Sequence, residues 1–174
     1  MHEDQRFTTM TIASPTDIFF DQLRDLNSAT RQTAATLPDL ANWASEEKLA
    51  AILREHHAAT RRHQQEIAAI FEAHGVEAGN DVCKAMEGLI EGGNKHIKIA
   101  DDPAIRDLLL IAHSNRIAHY LIAAADYTRG IAEKCGLGLE TEAVADILTA
   151  ECAFAEDLSE LALGVFDLKI GGFP

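Results

Sequence analysis

The side chains best suited to binding a metal ion are two histidines and one glutamate on the predicted inner faces of two long helices. His56 and His63 share one helical face, and Glu151 is the only carboxylate on the inward line of the last helix. The two histidines are seven residues apart, about 10.5 Å along a helix axis, too far to bind one ion together. His63 could instead meet His119 or Glu151 across the helices, giving a mononuclear zinc, copper or iron site with nitrogen and oxygen ligands.

The same residues also have a structural interpretation, which we favour. A buried histidine that is hydrogen-bonded to Thr60, Tyr120 or Glu151 satisfies its ring nitrogens without a metal. Glu151 beside a histidine would more often form a structural ion pair than act as a ligand or a general base. We therefore predict no catalytic residue, no cofactor and no metal. The alternative is a single transition-metal ion bound by His63, His119 and Glu151.

Helical periodicity dominates the chain and determines where these residues lie. The first helix begins at Ser14, with Pro15 at its first position and Asp17 where a capping box has its acid. Pro38 is expected to break or kink this helix, with Leu40 to Trp43 as a short continuation. Apolar residues recur every three or four positions in three further long segments. These segments run from Ser45 to Gly75, from Asp102 to Gly136 and from about Glu140 to Leu163.

The region between the second and third long helices predicts a short helix from Asp81 to Glu91. Gly92-Gly93 should terminate it, and it should cross one end of the bundle. Because no strand-like alternation competes, the sequence predicts an all-α fold, a four-helix bundle with a short crossing helix between helices two and three. We expect residues 1–15 to form an N-terminal arm, residues 16–164 the bundle, and residues 165–174 an apolar tail.

Several short stretches of the chain match a known family. Residues 83–90 read CKAMEGLI, which is the most specific of them, and the third long helix begins with DPAIRD at residues 102–107. With the supporting stretches, they resemble the YciE/YciF family of small bacterial ferritin-like proteins. The resemblance implies a dimeric, ferritin-like four-helix bundle, in a stress-associated family without an established activity. The supporting stretches are Leu26 to Ala29, Leu37-Pro38, His119-Tyr120, Ile122-Ala123 and Leu158 to Ala162.

The resemblance also implies a di-metal site, from which this chain departs. His56 and Thr60 match the family pattern H-x-x-E-T-x-x-Q, and Glu151 persists from an acidic run. A pair of metal ions in such bundles needs carboxylates from several helices. We therefore predict a non-enzymatic protein with a degenerate di-metal site, stress-associated and acting through dimer or partner contacts. The alternative is a metalloprotein with a rebuilt mononuclear His/Glu site that handles oxidant or metal stress. The departures from the family are Thr30, Ala59, His63, Ala118 and Leu121.

Charge and composition argue against several classes of protein. With 28 acidic and 15 basic side chains, the formal net charge is −13, which disfavours binding to nucleic acid or to anionic lipid. No apolar run approaches the roughly 18 residues of a membrane-spanning helix, and the polar start lacks the apolar block of a signal peptide. The three cysteines are too scattered for a disulfide framework or a zinc motif. We expect a cytoplasmic protein that binds neither nucleic acid nor membranes.

The apolar tail, residues 165–174, reads VFDLKIGGFP. We expect it to fold back onto its own bundle or onto a dimer mate. The alternative is a docking peptide for another protein. The predicted partners are therefore a second copy of the chain and, through the tail, a different protein.

Overall fold

A computed structural model of the chain describes residues 11–171. In that range it contains five α-helices and no β-strand, which confirms the predicted all-α class, with four long helices and a shorter one between the second and third of them. Residues 1–10 of the predicted arm and residues 172–174 of the predicted tail lie outside the described residues. The helices are α1 (Pro15–Trp43), α2 (Glu47–His74), α3 (Lys84–Lys98), α4 (Pro103–Lys134) and α5 (Gly138–Phe166).

The four long helices form a ring in the order α1, α2, α5, α4. The most extensive pairs are α4 with α5 and α1 with α2, and the ring is closed by α1 against α4 and α2 against α5. Since α2 and α4 are diagonal in this ring, the chain must pass over α1 to connect them. The crossing helix α3 lies in this connection. It packs along α4 and α1. The prediction that it crosses one end of the bundle is therefore wrong.

The start of α1 and its extent to Trp43 were predicted correctly, but the break within it was not. The Ser14 hydroxyl accepts a hydrogen bond from the backbone N–H of Asp17 (3.2 Å), and Ser14 donates its hydroxyl proton to the Asp17 carboxylate (2.8 Å). The predicted break at Pro38 is wrong, because one continuous helix runs on to Trp43. Pro38 lies on the exposed face, while Leu37 and Leu40 beside it are buried. Their packing outweighs the helix-breaking tendency of the proline.

The end of α2 was predicted from the sequence, whereas the contact that fixes its start was not. The helix ends at Gly75, which has a left-handed backbone conformation (φ 60°), as predicted. Its start lies slightly later than Ser45. There the carboxylate of Asp107, a buried residue of α4, accepts hydrogen bonds from the backbone N–H groups of Ser45 (2.8 Å) and Glu46 (2.8 Å). A side chain from another helix therefore binds the two backbone N–H groups that lead into α2, and the Glu46 carboxylate caps the helix itself by accepting from the N–H of Lys48 (3.2 Å).

The predicted end of α3 at Gly92-Gly93 is wrong, since the helix continues through both glycines to Lys98. Gly93 is required for packing, because a Cβ atom at this position would overlap the imidazole ring of His113 on α4. Gly92 has open space around it. One of the two glycines thus marks a close approach of two helices and not a helix terminus.

The inward faces of α4 and α5 follow the predicted periodicity. Asp102 caps α4 by accepting hydrogen bonds from the backbone N–H groups of Ala104 (2.9 Å) and Ile105 (3.0 Å). On α5, every residue predicted to face inward is buried. The only charged member of that set is Glu151, so the rest of this face contributes apolar packing. The set is Val144, Ile147, Glu151, Phe154, Leu158 and Leu161.

Candidate functional site

A buried histidine and a buried glutamate meet inside the bundle. His56 Nε2 on α2 lies 3.2 Å from Glu151 Oε2 on α5, and their side chains are 3% and 1% exposed. The two atoms are not aligned for a hydrogen bond, and neither has a hydrogen-bond partner among the described residues. Phe154 stacks in parallel on the His56 ring at 3.7 Å and fixes its plane. The contact is therefore electrostatic, with two polar atoms left unsatisfied.

His63 does not occupy the position that the sequence suggested. It is buried two turns further along α2, but the carboxylate of Glu151 lies against His56 and not against His63. Burial is the main cause that lowers the pKa of His63, and the negative charge of Glu151 acts in the opposite direction. His63 Nδ1 also lacks a hydrogen-bond partner in the described part of the chain. Burial of the ring thus disfavours its protonation, and Glu151 acts on it only through its charge.

The two neutral groups proposed as hydrogen-bond partners for a buried histidine bond elsewhere. The Thr60 hydroxyl donates to the backbone carbonyl of His56 (2.7 Å), one turn earlier in α2, and not to a ring nitrogen. The Tyr120 hydroxyl donates to Asp25 Oδ2 (3.0 Å) on α1. Of the three predicted partners, only Glu151 approaches a histidine.

His119 is not part of this site. It is exposed on the outside of α4, where its Nδ1–H donates to the backbone carbonyl of Asn115 (2.8 Å). The inner face of α4 is filled at this level by Ala118 and Leu121, both buried. Because His119 points away from that face, it lines an outer groove beside Ser159 of α5. The predicted combination of His63, His119 and Glu151 is therefore not brought together.

The residues inside the bundle do not fit a pair of metal ions. Such a pair needs carboxylates from several helices, whereas the positions that departed from the family pattern are uncharged and mostly buried. Thr30 and Ala118 are buried, and the Thr30 hydroxyl has no hydrogen-bond partner among residues 11–171. Within the same residues, no three His, Cys, Asp or Glu side chains are grouped closely enough to hold a metal ion.

A narrow cleft leads between α2 and α5 to the His56 ring. Its volume is about 170 Å³, and much of its wall is small because it includes Ala59, Ala150 and Ala153. Arg62 and Asp157 also line it. The cleft therefore ends at His56, while His56 Nε2 and Glu151 Oε2 themselves are buried.

Two buried polar residues of α4 were missed by the sequence analysis. Asp107, which caps α2, is a second buried carboxylate, and it lies one turn before Leu110 on the inward line. His113 is 1% exposed, and neither ring nitrogen has a hydrogen-bond partner in the described residues. Burial, together with the nearby positive charge of Arg116, lowers the pKa of His113 to about 4. Both residues lie in helical register with buried apolar residues of α4, such as Leu110 and Ile117. This spacing is the signal in the sequence that could have identified them.

A hydrogen-bonded clasp fastens the start of α3 to the bundle. Cys83 Sγ lies 3.0 Å from the Tyr120 hydroxyl, which in turn bonds Asp25. The Cys83 backbone N–H donates to Ser28 Oγ (2.8 Å), and its carbonyl accepts from Gln32 Nε2 (3.0 Å). Burial and these two neighbouring groups raise the pKa of Tyr120 well above its ordinary value. The clasp joins α1, α3 and α4 through residues of the CKAMEGLI stretch and its surroundings.

The described part of the tail turns back onto its own bundle. Asp167 adopts a left-handed backbone conformation (φ 51°), and the N–H of Leu168 donates to the carbonyl of Ala162 (3.0 Å). Ile170 packs against the core, and Gly171 lies beside Ser159. Residues 167–171 thus follow the first of the two expectations for the tail.

No helix in residues 11–171 combines the length and apolar character needed to span a membrane. The chain matches, over residues 14–170, the family described as Domain of unknown function (DUF892). Protein YciF of Escherichia coli (strain K12) is 30% identical over 161 residues, which make up 92% of this chain and 97% of YciF.

Two solved structures show the same fold. The crystal structure of the E. coli stress protein YciF gives a TM-score of 0.85 at 30% identity, covering 91% of this chain and all of that chain (100%). YcfI from Rhodopseudomonas palustris, provisionally described as a structural protein, gives a TM-score of 0.83 at 24% identity, covering 87% of this chain and 97% of that chain, and is similar in fold alone. The resemblance that began with residues 83–90 is confirmed: the chain belongs to the DUF892 family, with E. coli YciF, and has the ferritin-like all-helical fold.

Proposed function

We propose that this protein is a cytoplasmic, stress-associated bundle without catalytic activity, whose di-metal site is degenerate and which acts through contacts of its surface. The observation that carries the proposal is the composition of the bundle interior. Among residues 11–171, the carboxylate that contacts a buried histidine is that of the buried Glu151, which lies 3.2 Å from His56. A stress association is supported by the description of E. coli YciF as a stress protein.

The substitutions inside the bundle have a coherent physical effect. An isolated carboxylate buried without a metal or a partner costs several kcal/mol or must take up a proton. Thr30, Ala118 and Leu121, all buried, avoid that cost. The bundle is therefore stable without the charge of a bound cation, which a site made of clustered carboxylates would need.

The contact surface that we propose for dimer or partner binding lies at the end of α5. Leu163, Val165 and Leu168 are 54%, 41% and 39% exposed, and they lie close together in sequence at the point where the tail turns back. Leu163 and Val165 are two residues apart on α5 and line different grooves, so the proposed surface wraps around the end of the helix. Exposed large apolar side chains often mark a protein interaction site. The first candidate for the partner is a second copy of the chain.

Two measurements on one preparation test the proposal. Protein purified from medium supplemented with iron and manganese should contain far less than one metal ion per chain by elemental analysis, and light scattering should give twice the chain mass of 18.9 kDa. Leu163→Asp should produce monomers because it places a charge in the proposed interface. Leu139→Asp, at the exposed opposite end of α5, is the matched control and should remain dimeric. Stoichiometric iron or manganese would contradict the proposal of a degenerate site.

A second candidate function is a mononuclear metal site, favoured by the unsatisfied atoms of the central pair. His56 Nε2 and Glu151 Oε2 lie 3.2 Å apart without a hydrogen bond, and a narrow cleft reaches His56. These two atoms would supply one nitrogen and one oxygen ligand of the kinds that zinc or cobalt accepts, with water completing the coordination. Titration with Co²⁺ should then give a tetrahedral absorption band that Glu151→Gln removes and that His119→Gln, on the outer surface, leaves intact. No band in the unsubstituted protein would eliminate this candidate.

A further inference from the structure

Helix α3 is the most weakly held of the five helices. Of its 15 residues, only Met86 and Ile97 are buried. It contains Gly88, Gly92 and Gly93, and each glycine in a helix interior lowers helix stability relative to alanine. No side chain caps its first turn at Cys83. Its stability therefore depends on packing against α1 and α4.

The two ends of α3 are attached very differently. The start is fixed by the Cys83 clasp, whose backbone N–H and carbonyl bond Ser28 and Gln32 on α1. Beyond the clasp, the Thr33 hydroxyl donates to the Met86 sulfur (3.9 Å) near the start of the helix. Further along, the polar attachments in the described residues are a 3.3 Å hydrogen bond from Asn94 to Thr36, the ammonium group of Lys98, 5.2 Å from the Trp43 ring centre, and, just past the helix, a 2.8 Å hydrogen bond from Arg106 to the carbonyl of Ala100. Any local opening of this helix should therefore begin in residues 88–98, which we call the α3 strap.

The centre of the strap rests on the imidazole ring of His113. The ring occupies the space that a Cβ atom at residue 93 would fill, so that α3 and α4 are in close contact there. Both ring nitrogens are buried without a hydrogen-bond partner in the described part of the chain. The neutral imidazole ring is small and mostly apolar, so it can be buried at this position. A charged ring would bring two N–H donors into a place with no acceptor.

The surroundings of His113 offer no compensating negative charge. Arg116, one turn along α4, is the charged group that acts on the ring, and its positive charge also disfavours protonation. On α1, the residues in contact with α3 include Thr33 and Thr36, which are uncharged. The charged or titratable side chains of α3, and those of α1 and α5 at the neighbouring levels, are exposed to solvent. They are Lys84, Glu87, Glu91, Lys95, His96 and Lys98 on α3, Arg31 and Asp39 on α1, and Glu156, Asp157 and Glu160 on α5.

We propose that the α3 strap is a pH-sensitive latch, in which protonation of His113 releases residues 88–98 from α1 and α4 while the Cys83 clasp keeps the helix attached. Release exposes the ring to water, which then accepts its two N–H donors. It also uncovers the face of α1 and α4 on which the strap lies. The bundle of long helices does not need to unfold, because its own contacts lie on other faces.

The size of the effect follows from linkage between protonation and opening. The His113 pKa is about 4 in the closed state, and a solvated histidine in the open state titrates near 6.5. Between these values, each pH unit of acidification multiplies the opening constant by about ten. From pH 8 to pH 5, opening of the strap should increase roughly 30-fold.

Hydrogen exchange followed by mass spectrometry on the full chain tests this directly. After correction for the intrinsic pH dependence of exchange, peptides from residues 88–98 should lose protection by roughly 30-fold between pH 8 and pH 5, while peptides from α1 and α5 keep theirs. His113→Phe keeps a ring without a titratable group and should abolish the change. His96→Gln, an exposed histidine on the same helix, is the matched control and should retain it.

Three results would overturn the proposal. The first is unchanged protection from hydrogen exchange of residues 88–98 between pH 8 and pH 5 in the natural protein. The second is the same pH dependence of protection in His113→Phe. The third is a parallel loss of protection in α1 and α5, which would indicate global unfolding. Should His113→Phe fail to fold, the ring resonances of His113 in the unsubstituted protein decide the question by nuclear magnetic resonance. Titration above pH 6 would show that the closed state does not suppress protonation and would also overturn it.

Discussion

Two adjacent glycines of α3 provide a sharp test of how this helix is packed. Gly92 has open space where a Cβ atom would lie, whereas a Cβ atom at Gly93 would overlap the ring of His113. Gly92→Ala should therefore stabilise the protein by about 0.5 to 1 kcal/mol, the usual helix-propensity gain. Gly93→Ala has the same gain in propensity. To restore ordinary contact, however, the His113 ring would have to move by about 1.5 Å inside a packed interface.

Overpacking of this kind costs about 1 to 3 kcal/mol, and it has to be set against the propensity gain. We expect Gly93→Ala to be less stable than Gly92→Ala by about 1 to 3 kcal/mol, because the propensity gain is the same in both, measured by urea unfolding followed by circular dichroism. The double variant Gly93→Ala with His113→Ala should be more stable than the sum of its two single effects, because removal of the ring frees the space. Equal stability of the two glycine variants would refute the packing argument.

Three further predictions concern stability. Asp107→Ala should lower the free energy of unfolding by about 1 to 3 kcal/mol, because the N–H groups of Ser45 and Glu46 lose their acceptor. The control Asp101→Ala, at an exposed position, should have little effect. An equal loss of stability in the two variants would argue against the role of Asp107 as acceptor. Pro38→Ala should raise the free energy of unfolding by about 1 to 3 kcal/mol in thermal unfolding, since α1 is continuous through this position. An unchanged free energy of unfolding would show that Pro38 does not destabilise the helix. Because the pKa of His113 is lowered to about 4 in the folded protein, the neutral ring's contribution to the free energy of unfolding is intact above pH 6.5 and is lost as the pH falls towards 4. The free energy of unfolding should fall by up to about 3 kcal/mol over this range. His113→Phe should remove that part of the pH dependence.

The fold was predictable because its signals are local or periodic. Ser14 with Asp17 and Gly75 act within one turn of the chain, so they could be assigned without knowing what surrounds them. Pro38 and Gly93 were misjudged for the opposite reason. Whether a proline or glycine ends a helix depends on the packing around it, and here that packing comes from residues far away in sequence.

The arrangement of the site was predictable in part. Burial of His56, His63 and Glu151 followed from the helical register. The pairing of Glu151 with His56 depends on the relative axial position of α2 and α5, which no sequence pattern specifies. His119 was placed inside because of its neighbours in the family-like stretch, although its position in the helical register puts it on the outer surface.

The most direct test of the central claim is an anomalous scattering experiment on crystals soaked with Fe²⁺ or Mn²⁺. The claim is that Thr30, Ala118 and Leu121 have removed the ligands that a pair of cations would need, and that Glu151 is left to pair with His56. The anomalous difference map should show no pair of peaks inside the bundle. Two strong peaks about 4 Å apart beside Glu151, the spacing of two-metal sites, would contradict the account.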